Sequence, residues 1–337
     1  MKKLLAVFLV LVLLVAMVSL ASAEGEKKLR FVMPNATHGF MATAIQLATA
    51  GLEAGKPDNP GIDVLLITGA DVAEQNNQLD TLINEKVDTI VLWPHNGDDL
   101  RAGAQKVIDA GINLVVFDRL IPDIDPISEV DMDNYEYGAS SARFLNEYFA
   151  DRLAAGETIR ILEFKGDLST ASTVRTDGFT ATKHEGIEII QAFSTDWQRD
   201  KSMDFMQSWL IDSPQDVVES IDAIFTHDGE ITLGIYDAMQ DYKGPASLER
   251  ILALAGMGSD VDSVAITKDL MDNFGITHRV VFVSPACTAW GVAVGYDVVN
   301  GKDVPKQVKI GYIPITLENY QEYLDAPEKL TEQDVVY

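Results

Sequence analysis

Residues 89–118, TIVLWPHNGDDLRAGAQKVIDAGINLVVFD, contain the unit that decides the fold. Two apolar runs, Thr89–Trp93 and Asn113–Asp118, enclose the segment Leu100–Ala110, which has the apolar spacing of a helix. Because both runs are apolar on each face, they are typical of parallel strands that helices cover on both sides. The stretch therefore predicts a strand–helix–strand unit of a parallel sheet.

The same alternation occurs in two rounds along the chain. Further strands are predicted at Leu29–Met33, Ile62–Thr68, Glu129–Met132, Arg160–Phe164, Glu188–Ser194, Ala223–Thr226, Ile251–Ala255 and Arg279–Ser284. Further helices are predicted at Ala42–Gly55, Val72–Glu85 and Tyr135–Ala154. Near the break between the rounds, the prolines of the loop Pro122–Pro126 exclude a helix or a central strand. The pattern predicts an α/β fold of two doubly wound parallel-sheet lobes.

The first 23 residues have the pattern of a secretory signal peptide. A charged start at Lys2 and Lys3 precedes the apolar run Leu4–Val18, and Ala21-Ser22-Ala23 supplies small residues for cleavage after Ala23. The apolar run is short for a bilayer span, so a membrane anchor is the weaker alternative. We therefore expect an exported protein of the periplasm or the extracellular space.

Bulk composition narrows the class of protein further. Removal of 23 residues from 337 leaves 314, a length that suggests two domains, and the loss of Lys2 and Lys3 changes the formal charge from -26 to -28. Such an acidic surface repels nucleic acid and anionic lipid. Cys287 is the single cysteine and lies in an apolar segment, so we expect a buried, inert thiol and no internal disulfide.

The residues that directly follow each predicted strand hold the candidate site. In open parallel sheets, ligands bind outside the carboxyl ends of the strands. The aromatic residues at these positions are Phe40, Trp93 and Trp197, and Asp, Asn, His and Arg side chains accompany them. Aromatic faces suit the C–H face of a sugar, and the polar groups suit its hydroxyls, so the pattern predicts a polyol pocket.

At these residues the chain resembles the periplasmic sugar-binding proteins of ABC transporters, in the group of the ribose-binding proteins. The segment 33–40, MPNATHGF, is similar to the family's first loop, and Phe40 takes the place of the aromatic residue that packs on the sugar. The segment 115–119, VVFDR, is similar to the strand after which Asp118 and Arg119 would bind sugar hydroxyls.

Three further segments carry the resemblance through the second half of the chain. Asp133-Asn134 resembles the first crossing between lobes, and Trp197 in the segment 195–197 takes the place of a second stacking aromatic residue. The segment 225–230, FTHDGE, resembles the strand end where an Asn or Asp binds the ligand, which implies Asp228.

The chain departs from the family pattern at three positions. Alignment on Gly178-Phe179 puts Thr173 at a ligand-binding arginine of the family, with Arg175 two residues later. Gly258 replaces a family Asp with Asp260 nearby, and Ser284 or Pro285 occupies the region of a family Gln. The choices between Thr173 and Arg175, and between Gly258 and Asp260, stay open, and ribose does not follow as the ligand.

The predicted ligand-binding set combines the positions after the strands with those that the resemblance implies. Its members are Asn35, His38, Phe40, Trp93, Asp118, Arg119, Thr173, Arg175, Trp197, Asp228, Asp260 and Ser284. We predict neither a metal site nor a cofactor, because no second His stands at ligand spacing and the twelve-residue calcium loop is absent from the sequence.

The resemblance implies a hinge of three chain crossings, near Met132–Asn134, Ser284–Pro285 and Gly311–Ile313. The first lobe would hold residues 24–132 and 285–311, and the second would hold residues 133–284 and 312–337. We expect a monomeric solute-binding protein of an ABC importer, which closes on a small neutral sugar or polyol and delivers it to a membrane permease. A chemoreceptor as a second partner stays open.

The alternative is an exported α/β enzyme. A dehydrogenase lacks support because the first strand is not followed by G-x-G-x-x-G. A glycosidase can use two cleft carboxylates, for which Asp118 and Asp228 are the candidates. We expect both to be paired or hydrogen-bonded, and therefore ionised and poor general acids.

Overall fold

The predicted strand–helix–strand unit forms in the computed structural model, which describes residues 26–331 and 335–336. The first half of the chain alternates strands and helices in the order β1 Lys27–Pro34, α1 Gly39–Gly55, β2 Ile62–Gly69, α2 Val72–Asn84, β3 Thr89–Leu92, α3 Gly97–Asp109, β4 Asn113–Phe117 and β5 Ser128–Asp131. The predicted signal peptide and its cleavage site lie outside the described residues.

The second round begins with the helices that follow β5. Its elements are α4 Asn134–Tyr148, α5 Ala150–Ala154, β6 Ile159–Lys165, α6 Thr170–Thr182, β7 Ile187–Ser194, α7 Arg199–Asp212, α8 Gln215–Val218, β8 Ala223–Thr226, α9 Gly229–Asp241, β9 Ala253–Gly258, α10 Val261–Phe274 and β10 Thr277–Phe282. The chain then continues through α11 Thr288–Val299, β11 Gln307–Ile310, β12 Ile313–Ile315, α12 Tyr320–Asp325 and β13 Val335–Val336.

These strands form two sheets, one in each lobe. The first has the order β13-β11-β5-β4-β3-β1-β2, and the second has the order β12-β10-β9-β8-β6-β7. The pairings are parallel except for those of β12 and β13, which are antiparallel. This arrangement confirms the predicted α/β fold of two lobes with parallel-sheet cores.

The chain passes between the two sheets after β5, after β10, and between β11 and β12. Its end departs from the prediction that residues 312–337 lie in the second lobe, because β13 pairs with β11 in the first sheet. Without β13, β11 would be an open sheet edge, and edges of this kind are commonly covered by a short strand.

In the core of the first lobe, helices cover the central strands on both faces, as their apolar pattern predicts. Strand β3 is buried along its whole length, and β4 along all but its first residue, since α2 and α3 pack on one face of the sheet and α11 packs on the other. In the described part of the chain, no helix is long and apolar enough to span a bilayer.

Candidate functional site

The carboxyl ends of the strands of both sheets border one cavity of about 470 Å³, counting the space at its open mouth. Its lining residues are His38, Phe40, Met41, Trp93, Asp118, Arg119, Met132, Ala171, Arg175, Trp197, Asp228, Met257, Gly258, Ser259 and Val283. Eight of the twelve predicted residues line it: His38, Phe40, Trp93, Asp118, Arg119, Arg175, Trp197 and Asp228.

The other four predicted residues lie outside the lining. Asp260 caps α10 by accepting a hydrogen bond from Ser263 N at 2.7 Å, and Ser284 Oγ accepts one from Ala286 N at 3.1 Å. Thr173 Oγ1 donates to the carbonyl of Ser169 at 3.2 Å. Short polar residues before a helix satisfy its free N–H groups, which explains Asp260 and Ser284.

Asn35 also lies outside the lining, and its Oδ1 is buried without a hydrogen-bond partner among the described residues.

The sequence left open which residue of two pairs faces the ligand, and in each pair only one residue lines the cavity. Arg175 rather than Thr173 lines the cavity, and Gly258 rather than Asp260 does so.

Asp118 and Arg119 come from the turn after β4. Asp118 has a left-handed backbone, with φ 60°, and its Oδ1 accepts a hydrogen bond from Asn134 Nδ2 at 3.0 Å. Arg119 donates to the carbonyl of His95, and its Nη2 lies 3.7 Å from Asp167 Oδ2 in the other lobe. Burial of Asp167 opposes its ionisation, but the Arg119 charge and hydrogen bonds from Ser169 lower the pKa of this carboxyl below its usual value.

Arg175 enters the cavity from α6. Its Nε donates to Asn134 Oδ1 at 2.7 Å, and its Nη1 donates to the carbonyl of His227 at 2.6 Å. The guanidinium carbon lies 5.0 Å from the centroid of the Trp197 ring, a cation–π distance. Asn134 therefore bridges Asp118 of the first lobe and Arg175 of the second.

Sequence reasoning missed Asn134 as part of the site. The signal that points to it is its position in the first crossing, where one amide can donate to a carboxylate in one lobe and accept from a guanidinium in the other. Asp167, which does not line the cavity, was also missed as a partner of Arg119, because their contact spans the cleft.

Aromatic rings approach the cavity from both lobes. The rings of Phe40 and Trp93 are nearly perpendicular, with centroids 6.2 Å apart, while His38 lies 6.5 Å from Trp197 across the cleft. Trp197 has φ 62°, a strained conformation for a bulky residue. Gly166 permits this placement, because a Cβ there would lie 2.1 Å from the indole ring.

Burial changes the protonation of two groups at the cavity. It raises the pKa of Asp228 to about 7, although a hydrogen bond from Glu230 N and the Arg175 charge act in the opposite direction. This raised pKa runs against the expectation that Asp228 is ionised, and near neutral pH its protonated form can donate a hydrogen bond. Burial and the Arg119 charge lower the pKa of His38 to about 4, which leaves this imidazole neutral.

Four polar atoms of lining residues are buried without a hydrogen-bond partner inside the described ranges, 26–331 and 335–336. They are His38 Nδ1, Trp93 Nε1, Arg119 Nε and Trp197 Nε1. Buried polar atoms are normally satisfied, so a set of orphaned atoms at one cavity suits a ligand that supplies hydroxyl oxygens.

A Ser–His–Glu arrangement lies beneath Arg175. Ser172 Oγ is 3.3 Å from His227 Nδ1, and His227 Nε2 is 3.1 Å from Glu163 Oε1. At most 2% of each residue is exposed, so a substrate has no access to the serine. The hydrogen bonds to its imidazole fix His227, whose carbonyl accepts a hydrogen bond from Arg175. The arrangement therefore helps to position Arg175.

The carboxylates near the first crossing are held by cations of the protein. Asp133 Oδ1 lies 3.1 Å from Lys309 Nζ, and Asp123 Oδ2 lies 3.3 Å from Arg101 Nη1. Across the residues described by the structure, no three His, Cys, Asp or Glu side chains are arranged to hold a metal ion.

Two α/β lobes around a cavity with a few convergent polar groups define a solute-binding protein. The family model for the periplasmic binding protein domain matches residues 29–303, and the chain belongs to this family. Membership supports a solute-binding function in the periplasm and not the enzyme alternative.

Curated relatives cover most of the chain at low identity. The ribose import binding protein RbsB of Bacillus subtilis is 23% identical over 259 residues, 77% of this chain and 77% of that protein. The xylitol-binding protein of Mycolicibacterium smegmatis is 25% identical over 280 residues, 79% of this chain and 74% of that protein.

Solved structures share the fold. An ABC transporter solute-binding protein from Bacillus halodurans with bound myo-inositol has a TM-score of 0.72 at 22% identity, over 90% of this chain and 98% of that chain. A Mycobacterium smegmatis protein in complex with β-D-fucofuranose has a TM-score of 0.75 at 18% identity, over 92% of this chain and 100% of that chain.

Proposed function

We propose that this protein binds a small neutral sugar or polyol between its lobes and delivers it to a membrane ABC permease. The observation that carries the proposal is the pairing of charge around the cavity. Arg119 lies against Asp118 and Asp167, at 3.9 Å and 3.7 Å, and Asn134 links Asp118 to Arg175. A charged ligand would leave one of these groups uncompensated, whereas hydroxyls can both donate to the carboxylates and accept from the guanidiniums.

The proposed contacts with the ligand are of two chemical kinds, ring stacking and hydrogen bonding. Phe40, Trp93 and Trp197 pack on the faces of the sugar ring, and Asp118, Arg119, Arg175, Asp228 and His38 bind its hydroxyls. The names of the relatives support this assignment, since those proteins are described as binding ribose and xylitol.

Residues 26–132 with 285–311 and residues 133–284 with 312–331 move as two bodies about the crossings between the sheets. The ligand contacts both bodies only when they are closed, so it stabilises the closed state. The permease then distinguishes loaded from empty protein by the relative placement of the lobes. The protein acts as a monomer, and a chemoreceptor that reads the same closed form is a second partner to test.

The signal peptide directs export and is cleaved after Ala23. N-terminal sequencing of protein recovered from the periplasm or the medium of an expressing bacterium should give Glu24 as the first residue. A chain that retains residues 1–23 would contradict the cleavage.

A thermal-shift screen of monosaccharides, cyclic polyols and amino acids on ligand-free protein tests the proposed function. A sugar or polyol at a hundred times its dissociation constant should add about 2.7 kcal/mol of stability. The Trp197→Ala variant is the control, and its shift should be much smaller. Stabilisation by amino acids or carboxylates alone would contradict the proposal.

A further inference from the structure

One side of the cavity is a wall of aliphatic side chains, here called the methionine wall, formed by Met41, Met132, Met257 and Val283. All four are nearly fully buried and belong to one continuous hydrophobic cluster. Met41 lies on α1 and Met132 follows β5, whereas Met257 and Val283 lie at the ends of β9 and β10 in the second sheet. Both lobes therefore contribute to the wall.

The methionine wall offers a hydroxyl almost no hydrogen bonding. Its side chains provide carbon and thioether sulfur, which is a weak acceptor and not a donor. The polar side chains of the lining are Asp118, Arg119, Arg175, Asp228 and Ser259, together with His38. The proton of a hydroxyl at the wall would face sulfur or carbon rather than a strong acceptor.

Ring stacking does not account for this wall. Phe40 and Trp93 on one side and Trp197 on the other already supply aromatic surface for the two faces of a sugar ring. The core beneath is filled by residues of the same cluster that do not line the cavity, such as Met33 in the first lobe and Val281 in the second. The wall is therefore apolar lining that a ligand in the cavity would contact.

We propose that the ligand carries an apolar substituent, such as a methyl or methylthio group in place of a terminal hydroxyl, and that this group packs on the methionine wall. The proposal rests on the proposed function, since the rest of the ligand is a polyol held by the polar side of the cavity. One methylene in a hydrophobic pocket changes affinity about 10- to 200-fold, which sets the scale of the expected preference.

Isothermal titration of the mature protein with matched sugar pairs tests the proposal. The pairs are D-galactose with 6-deoxy-D-galactose, D-glucose with 6-deoxy-D-glucose, and D-ribose with 5-deoxy- and 5-methylthio-D-ribose. In the pair that contains the tightest ligand, the apolar member should bind about tenfold or more tightly than the hydroxylated member. A difference below threefold, or the reverse order, would overturn the proposal while leaving sugar binding intact.

Failure of every pair to bind, together with failure of all polyols in the thermal-shift screen, would overturn the proposed function and this proposal with it. The Val283→Thr variant adds a hydroxyl to the wall with little change in shape, so it should reduce the preference for the apolar member about tenfold. Val281→Thr is the matched control, because Val281 is in the same cluster but outside the lining. An equal preference for the apolar sugar in both variants would contradict packing of its substituent on the methionine wall.

Discussion

Asp118 holds together the polar side of the cavity. It is 6% exposed, accepts from Asn134 at 3.0 Å and lies 3.9 Å from Arg119 Nε. Its removal leaves the Asn134 amide without its acceptor and the Arg119 guanidinium without one of its two neighbouring carboxylates, in addition to the ligand hydroxyls that it would bind.

Replacement of Asp118 with Ala should therefore weaken binding of the identified sugar by at least about 2 kcal/mol, close to thirtyfold, as measured by titration calorimetry. Asp123→Ala is the matched control, because Asp123 lies in the same loop but its side chain is 81% exposed. Affinity within threefold of the wild type for Asp118→Ala would remove this carboxylate from the site.

Asp228 gives the protein a testable pH dependence. Its pKa is about 7 when folded, against 3.8 for an Asp exposed to water in the unfolded chain. Between these values the folded state binds more protons, so the free energy of unfolding falls as the pH rises. An Asn at this position caps α9 equally well and does not titrate.

The Asp228→Asn variant should thus gain about 1 to 3 kcal/mol of stability relative to the wild type when the pH is raised from 5 to 8. Urea unfolding of both proteins at each pH measures the difference. A constant difference between pH 5 and pH 8 would show that Asp228 is ionised throughout, as the sequence alone suggested.

Sequence reasoning found the residue types of the site better than their exact positions. Asp228 and Asp260 both follow a strand and precede a helix, and both cap that helix, yet only Asp228 also lines the cavity. Thr173 and Arg175 are two positions apart on α6, which places them on nearly opposite faces of the helix. The rotation of a helix relative to a cleft depends on tertiary packing, which one sequence does not display.

At the scale of elements, the crossing of α4 and α6 positions Arg175. A Cβ at Gly138 would lie 1.9 Å from the carbonyl oxygen of Arg175, and one at Gly178 would lie 2.0 Å from that of Tyr135. The two helices therefore touch backbone to backbone, and this contact sets the distance from Arg175 to Asn134.

Gly178→Ala should destabilise the protein by about 2 kcal/mol or more and should also weaken sugar binding, because α6 must move away from α4. Chemical denaturation and titration calorimetry measure the two effects. Gly51→Ala on α1 is the matched control, since its Cβ would meet Val292 at an ordinary 3.6 Å, and it should be neutral or slightly stabilising. A Gly178→Ala protein as stable as the control would contradict the close crossing.

The spacing of apolar residues along the sequence was enough to predict most of the strands. Each predicted strand is present with its ends displaced by a few residues, since strand ends depend on hydrogen bonds rather than on apolar pattern. Strands β11, β12 and β13 were not predicted, because each has at most four residues and lies at or near a sheet edge. Segments this short carry too little alternation to be recognised.

At the scale of the whole molecule, the cavity is completed only when both lobes contribute. Asp118 and Arg119 belong to the first lobe, Arg175 and Asp228 belong to the second, and Asn134 lies between them at a crossing. Under the proposed hinge closure, a ligand held by both sets of groups makes its full contacts only in the closed arrangement, so binding and closure form one equilibrium.

The most direct test of hinge closure without chemistry is small-angle X-ray scattering of the mature protein with and without the identified sugar, followed by chromatographic recovery of that sugar. We expect the radius of gyration to decrease on binding and the sugar to be recovered unchanged after prolonged incubation. An unchanged radius of gyration together with tight binding would contradict hinge closure, and a chemically altered sugar would contradict a binding protein.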